Sequence, residues 1–297
     1  MSVERGLAAP LPVNAGDLQQ DVLRDLPVTV IEPTNGWRAL DLRELWRYRE
    51  LLYFLTWRDV KVRYKQTAIG AAWAVLQPFL TMVVFSIIFG GLAHLPSEGV
   101  PYPVFSYAGL LPWTFFAGAI SQASVSLVAN ANMIQKVYFP RVLMPAAGVA
   151  AAVLDLAIAF VVLLGMMLYF GVHPTVRLVV LPLLVLLAVL TALGVSVWLA
   201  AINVKYRDVR YAIPFLTQIW LFATPVAYPS SLIPARWRVL YGLNPMAGVV
   251  EGFRWALLGT EQVSIGLTAA SAVAIVALFI GGMFYFRRME REFADVI

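Results

Sequence analysis

The sequence contains no cysteine. That excludes a disulfide framework, a thiolate metal site and a redox thiol. Histidine is nearly absent too: His94 and His173 stand far apart in predicted loops, so no histidine metal site is expected. Charge is equally scarce, at 13% of residues, where a soluble domain carries about 25%. The chain also lacks a GxxxxGK[ST] phosphate loop, since none of its four lysines, Lys61, Lys65, Lys136 and Lys205, follows a glycine. No HExxH, no paired carboxylates and no Ser-His-Asp set at plausible positions are present. The first 45 residues are polar and lack the apolar core of a secretory signal, so a cytoplasmic amino terminus is expected.

Apolar residues, by contrast, make up 61% of the 297 positions. No single core of that length needs so much apolar surface. The surplus must face something other than water, which makes the chain an integral membrane protein. A soluble enzyme, a nucleic-acid-binding domain and a disordered scaffold are excluded. The net charge of +5 reflects Lys and Arg collected on one side of a membrane rather than a nucleic-acid surface.

Stretches of about 20 apolar residues place spans at Thr67–Gly91, within Pro101–Gln135 (centred near Phe115–Leu127), at Val142–Phe170, at Leu178–Val204 and at Gln262–Phe286. Between the last two lies Tyr211–Ala235, uncharged but punctuated by Pro214, Pro225, Pro229 and Pro234. Pro214 suits the first turn of a helix, and Pro225 should break it. The residues from Pro214 to Thr224 reach about 17 Å, roughly half of a hydrocarbon layer of about 30 Å. The fifth span is therefore expected to be broken, with 226–260 re-entering the outer half of the bilayer as two short helices. Broken backbone at that depth must pack in protein or line a cavity. With both termini inside, 18 of the 22 basic residues fall on the inner side, and only Arg177, Arg236, Arg238 and Arg254 outside. The expected fold is thus all-α, with six transmembrane helices and cytoplasmic termini. Its expected parts are a tail at 1–36, an amphipathic helix and basic lead-in at 37–66, the spans at 67–290 and a tail at 291–297.

A strand is conceivable at 27–31. Asp41 with Glu44 resembles a capping box. Leu42, Leu45, Trp46, Leu52 and Tyr53 alternate with Arg43, Arg47, Arg49 and Glu50, as in a helix lying in the inner membrane interface or packed on a partner subunit. Asp155 is the only carboxylate mid-span, with no titratable partner in another span. A hydrogen bond to Ser or Thr of a neighbouring span is its favoured role, ahead of a cation site. Gln66, Trp73 and Gln77, with Gly70 and Thr81, recur at helical spacing on the first span. Trp113 and Phe116 share a face of the second, and Thr217, Trp220 and Thr224 a face of the fifth. Neutral amides, hydroxyls and rings suit a sugar passage; polar glue between helices and interfacial aromatic belts are the plainer alternative. Arg58, Lys61, Arg63 and Lys65 could attract a lipid pyrophosphate at the inner leaflet, or serve only as an anchor. Glu251 and Arg254, at i and i+3, form a buried pair or gate contact. A secondary transporter would need more intramembrane charge than this, and a membrane-embedded transferase or phosphatase would have only Glu251 and Arg254 to work with.

Several segments together resemble the permease subunits of polysaccharide-exporting ABC transporters: WRDVKVRYKQTAIGAAWAVLQPF (57–79), KVYFPRVLMP (136–145), NVKYRDVRYAIPF (203–215), TPVAYP (224–229) and LNPMAGVVEGFRWALLG (243–259). The resemblance implies a six-span homodimer in the bacterial inner membrane, bound to two copies of a separate ATPase that holds ATP and Mg²⁺. No cofactor is implied on this chain, and no nucleic acid. The implied substrate is a lipid-linked glycan of the undecaprenyl-pyrophosphate type, such as O antigen, teichoic acid or capsule. It also implies coupling to the ATPase through 130–141 (Asn132, Met133, Gln135, Lys136, Tyr138, Phe139, Arg141). An outer gate is implied over 225–258 (Pro225, Tyr228, Asn244, Pro245, Glu251, Arg254), and an interface helix at 42–53.

Overall fold

The computed structural model describes residues 42–65, 72–260, 264–290 and 293. The tail at 1–36, the possible strand at 27–31, the Asp41–Glu44 capping box, Gln66 and Gly70 lie outside what is described, as does the carboxy-terminal tail except Phe293. Among the described residues every regular element is helical.

Two helices open the chain, α1 at Leu42–Arg47 and α2 at Arg49–Lys65. They carry Trp46, Tyr53 and Phe54 outward, and α2 buries Leu55 and Val60. α3 (Ala72–Phe85) runs on through a π-helical turn to Leu92. α4 spans Tyr102–Ala123. Two short helices follow, α5 at Ser126–Ala129 and α6 at Ala131–Lys136. Then come α7 (Leu143–Tyr169) and α8 (Leu181–Lys205). α9 covers Val209–Phe222, α10 Ala235–Tyr241, α11 Pro245–Leu258 and α12 Ile265–Glu290.

Five helical stretches are long and apolar enough to cross a membrane: Ala72–Leu92, Tyr102–Ala123, Leu143–Tyr169, Val176–Lys205 and Ile265–Glu290. α4 is the hub. Its apolar stretch is 78% buried, against 17–33% for the other four, so α4 sits inside the bundle. α7, α8, α11 and α3 all pack on it, and α12 packs along α8. Small residues set these crossings. A Cβ on Gly194 of α8 would come 2.9 Å from the Cα of Phe279 on α12, so the two backbones meet there with no room for a side chain.

Two sequence expectations move. The second span is centred earlier than Phe115–Leu127, because α4 starts at Tyr102 and is finished by Ala123. An uncharged run does not show where such a helix stops, and turn geometry at Ser124 and Val125 ends it. Pro214 stands in the second turn of α9 rather than the first, since the helix begins at Val209. α9 is nevertheless short. Its 14 residues reach about 21 Å, less than the hydrocarbon thickness of about 30 Å.

Beyond Phe222 the chain is irregular to Pro234 apart from a single 3₁₀ turn at Ser230–Leu232. α11 then starts with an Asn244 N-cap, whose side chain accepts from the Met246 backbone N–H at 3.1 Å, and with Pro245 in its first turn. It stops at Gly259, which takes the left-handed conformation at φ +72° that closes a helix. Nearly every residue of α11 is buried.

Candidate functional site: a buried clamp, a polar cavity and an exposed loop

Where α9 breaks, backbone carbonyls lose their helical partners. Arg254 of α11 supplies the missing donors. Its Nη1 donates to Pro225 O at 2.6 Å and Tyr228 O at 3.3 Å, its Nη2 to Val226 O, and its Nε to Phe105 O at 3.2 Å. The guanidinium lies 3.7 Å from the ring centroid of Phe105. Glu251, one turn earlier, sits 3.8 Å from Arg254 and accepts from the Ser230 N–H at 3.1 Å. Arg254 is 1% exposed and Glu251 5%. A charge so deeply buried survives only when paired and hydrogen-bonded, and here both conditions hold. Gly109 on α4 makes the approach possible: a Cβ there would fall 2.5 Å from the Arg254 Nη2.

A second set of bonds secures the same segment. Tyr102 donates to Ala227 O at 2.5 Å. Asn244 donates to Ala223 O and to the Thr224 hydroxyl, both at 3.0 Å, and accepts from the Trp220 indole at 2.9 Å. Tyr228 donates to Phe222 O and meets the Tyr241 hydroxyl at 2.7 Å. Thus Pro225, Tyr228, Asn244, Glu251 and Arg254 come together around the break, with Pro245 fixing the start of α11.

The polar residues around the end of α2 are arranged differently from the sequence reading. Among the described residues, Asp155 of α7 is not bonded to a Ser or Thr. It accepts from the Arg63 guanidinium on one oxygen and the Tyr64 hydroxyl on the other. Both donors come from the end of α2, outside the spans, where a search of spans for a partner could not find them. Of the remaining basic residues, Arg58 binds Asp59 at 2.9 Å, Lys61 lies over the Trp57 ring at 5.5 Å, and Lys65 is exposed in the last turn of α2.

Beside the Asp155 pair lies a cavity of about 230 Å³ between α2, α3, α4 and α7, into which Trp73, Gln77 and Thr114 also project. Trp73 and Gln77 are exposed. Trp113 and Phe116 are buried inside the bundle, with Phe116 edge-on to Trp220 at 5.1 Å. Thr217 is half-buried and donates to Ile213 O and Pro214 O; Thr224 is buried and donates to Trp220 O.

The loop around α6 offers an open surface. Asn132, Gln135, Lys136 and Tyr138 are exposed, and Met133 is half-buried. Phe139 is buried in a cluster with Phe286 and Phe293. Arg141 turns inward: its guanidinium donates to Glu290 O at the end of α12 and lies 5.8 Å from the Phe293 ring centroid. The loop is thereby anchored to the last span through Phe139 and Arg141, leaving α6 and Tyr138 facing out.

Residues 50–258 match the family model described as ABC-2 type transporter. The chain belongs to this family. It is 31% identical over 262 residues to the O-antigen export system permease protein RfbA of Myxococcus xanthus, covering 86% of this chain and 98% of that protein. An RfbA of Klebsiella pneumoniae is 27% identical, over 84% and 95% of the two chains. The polysialic acid transport protein KpsM of Escherichia coli is 26% identical, over 78% and 91%. The matched stretch takes in the basic end of α2, the α6 loop and the Arg254 clamp.

Proposed function

We propose that this ABC-2 permease is the membrane subunit of an ATP-driven exporter that moves a lipid-linked polysaccharide across the bacterial inner membrane. The observation that carries the reading is the match over 98% of the length of a permease named for O-antigen export, with a second match to one named for polysialic acid transport. On this reading the protein is a homodimer of six-span subunits with cytoplasmic termini. α9 is the short fifth span, and 226–260 re-enters from the outer side. Two copies of a separate ATPase bind the exposed α6 loop and bring ATP and Mg²⁺. The lipid pyrophosphate gathers at Arg58, Lys61 and Lys65 on α2, and Arg63 orders that helix through Asp155.

ATP-driven closure pushes on Asn132, Gln135, Lys136 and Tyr138. Phe139 and Arg141 pass that movement to α7 and α12. Coupling requires an element with two arrangements that the ATP state biases, and the clamped segment 225–230 is that element. The test is deletion of the gene in its host, followed by complementation. Loss of surface glycan, restored by this permease in a host that retains its ATPase but not in one that lacks the ATPase, is the expected result. Unchanged surface glycan in the deletion strain would refute the assignment.

A further inference from the structure

We propose that the cavity between α2, α3, α4 and α7 binds one neutral sugar ring of the substrate, the ring nearest its lipid. The inference rests on the export reading and adds a specific site to it. Three observations combine. The first is size: about 230 Å³ is below the roughly 300–1,000 Å³ that takes a drug-sized ligand, so the space holds a single ring rather than a chain of them. Small residues at the α4–α7 crossing, Gly118, Ala152 and Ala159, leave this room.

The second is the lining. Trp73 and Gln77 stand one turn apart on α3, presenting an indole face beside an amide, while Thr114 adds a hydroxyl from α4. A hydroxyl-rich ring inside a bilayer needs such partners, because each unpaired polar group is costly there. This polarity is particular to the site. The larger groove further along α3, lined by Phe79, Met82, Val83, Ile87, Val162 and Met166, is almost wholly apolar and suits an acyl chain.

The third is charge. Among the described residues, the only ions in the wall are Arg63 and Asp155, and they neutralise each other, with Tyr64 donating to the same carboxylate. A phosphate would have to draw Arg63 away and would leave Asp155 beside a second anion. A neutral polyol needs neither change and can share hydrogen bonds with groups already in place. The sequence reading put Arg63 among the pyrophosphate ligands; the cavity assigns it to positioning the sugar-binding wall instead.

The experiment is saturation-transfer NMR on the full-length permease in lipid nanodiscs, with a panel of methyl glycosides as probes and inorganic pyrophosphate as competitor. Transfer to at least one glycoside is expected, weakened about fivefold by Gln77→Leu and by Trp73→Leu, the factor that one lost contact supplies. Pyrophosphate should leave it unchanged. Absence of transfer to every glycoside, equal transfer in both variants, or displacement by pyrophosphate would each overturn the proposal. Both positions are exposed, so the variants should fold, and their melting temperatures check this. Glycan export in complemented cells is scored separately. Export that persists while the glycosides fail to bind sinks the cavity proposal and spares the export reading, whereas a strain without export sinks the reading itself.

Discussion

Replacing Arg254 by alanine is the sharpest test of how the broken segment is held. The truncation removes donors from four carbonyls, those of Phe105, Pro225, Val226 and Tyr228, and takes the nearby cation from Glu251. An orphaned buried acceptor costs about 1–3 kcal/mol, and breaking a buried ion pair about 3–5 kcal/mol. Water can enter the vacated space and relax part of this, so a loss of about 4 kcal/mol is expected, a large share of a total of about 5–15 kcal/mol. At roughly 2–4 °C per kcal/mol for a protein of this class of size, melting should fall by about 10 °C. Arg254→Lys should fall in between, because an ammonium lacks the planar fork that reaches separate carbonyls. Glu251→Gln combined with Arg254→Ala should be less harmful than the sum of the singles, by about 1–3 kcal/mol, since the double variant no longer buries an uncompensated carboxylate. Intrinsic tryptophan fluorescence of detergent-purified protein reads these variants and the single Glu251→Gln that closes the cycle. Melting of Arg254→Ala within about 2 °C of the wild type, or strict additivity in the cycle, would refute the clamp.

Other consequences follow from the same geometry. Tyr138→Ala and Arg141→Ala should both reduce substrate-stimulated ATP turnover by the partner, but Arg141→Ala should lower melting more, by freeing the loop from Glu290; equal effects of the two on melting would contradict the division. Gly194→Leu should separate α8 from α12 and cost more than about 2 kcal/mol through overpacking, read by loss of folded protein on size-exclusion chromatography. Glu98, in the loop between α3 and α4, has its carboxyl raised above the ordinary value of 4.5 by burial first and then by the Glu251 charge, against the opposing pull of Arg254 and a hydrogen bond with Thr260. The folded state therefore holds this proton more tightly than the unfolded state. Its contribution to stability is full below about 4.5 and declines as pH rises through the folded value. Glu98→Gln should flatten the melting profile over that window, and an unaltered profile would count against it.

How far the sequence could be read depends on what each feature needs. Five apolar helices and the break before Pro225 were legible because both are local: apolar length, and a proline without an N–H. The Glu251–Arg254 pair was legible from its i, i+3 spacing, and the structure puts the two 3.8 Å apart. What that spacing could not show is that the arginine serves the carbonyls of 225–228, which are far away in sequence. Asp155 failed for the same reason, its partners being 92 and 91 residues away. Trp113 and Phe116 were placed on a conduit because aromatic periodicity marks a face without saying whether lipid, lumen or a neighbouring helix covers it. In α4, neighbouring helices cover most of the surface, Trp113 and Phe116 included, and no charged residue was present to reveal which side was which. Pro214 was misplaced by one turn because helix α9 starts within the polar stretch before it, where hydropathy is silent.

The most direct test of the account is transport in proteoliposomes that hold the permease, its ATPase and a fluorescent lipid-linked glycan loaded on the ATPase side. The glycan should become accessible to an impermeant glycosidase on the opposite side only when ATP and Mg²⁺ are present and both proteins are there. Equal accessibility without ATP, or with the permease alone, would contradict it.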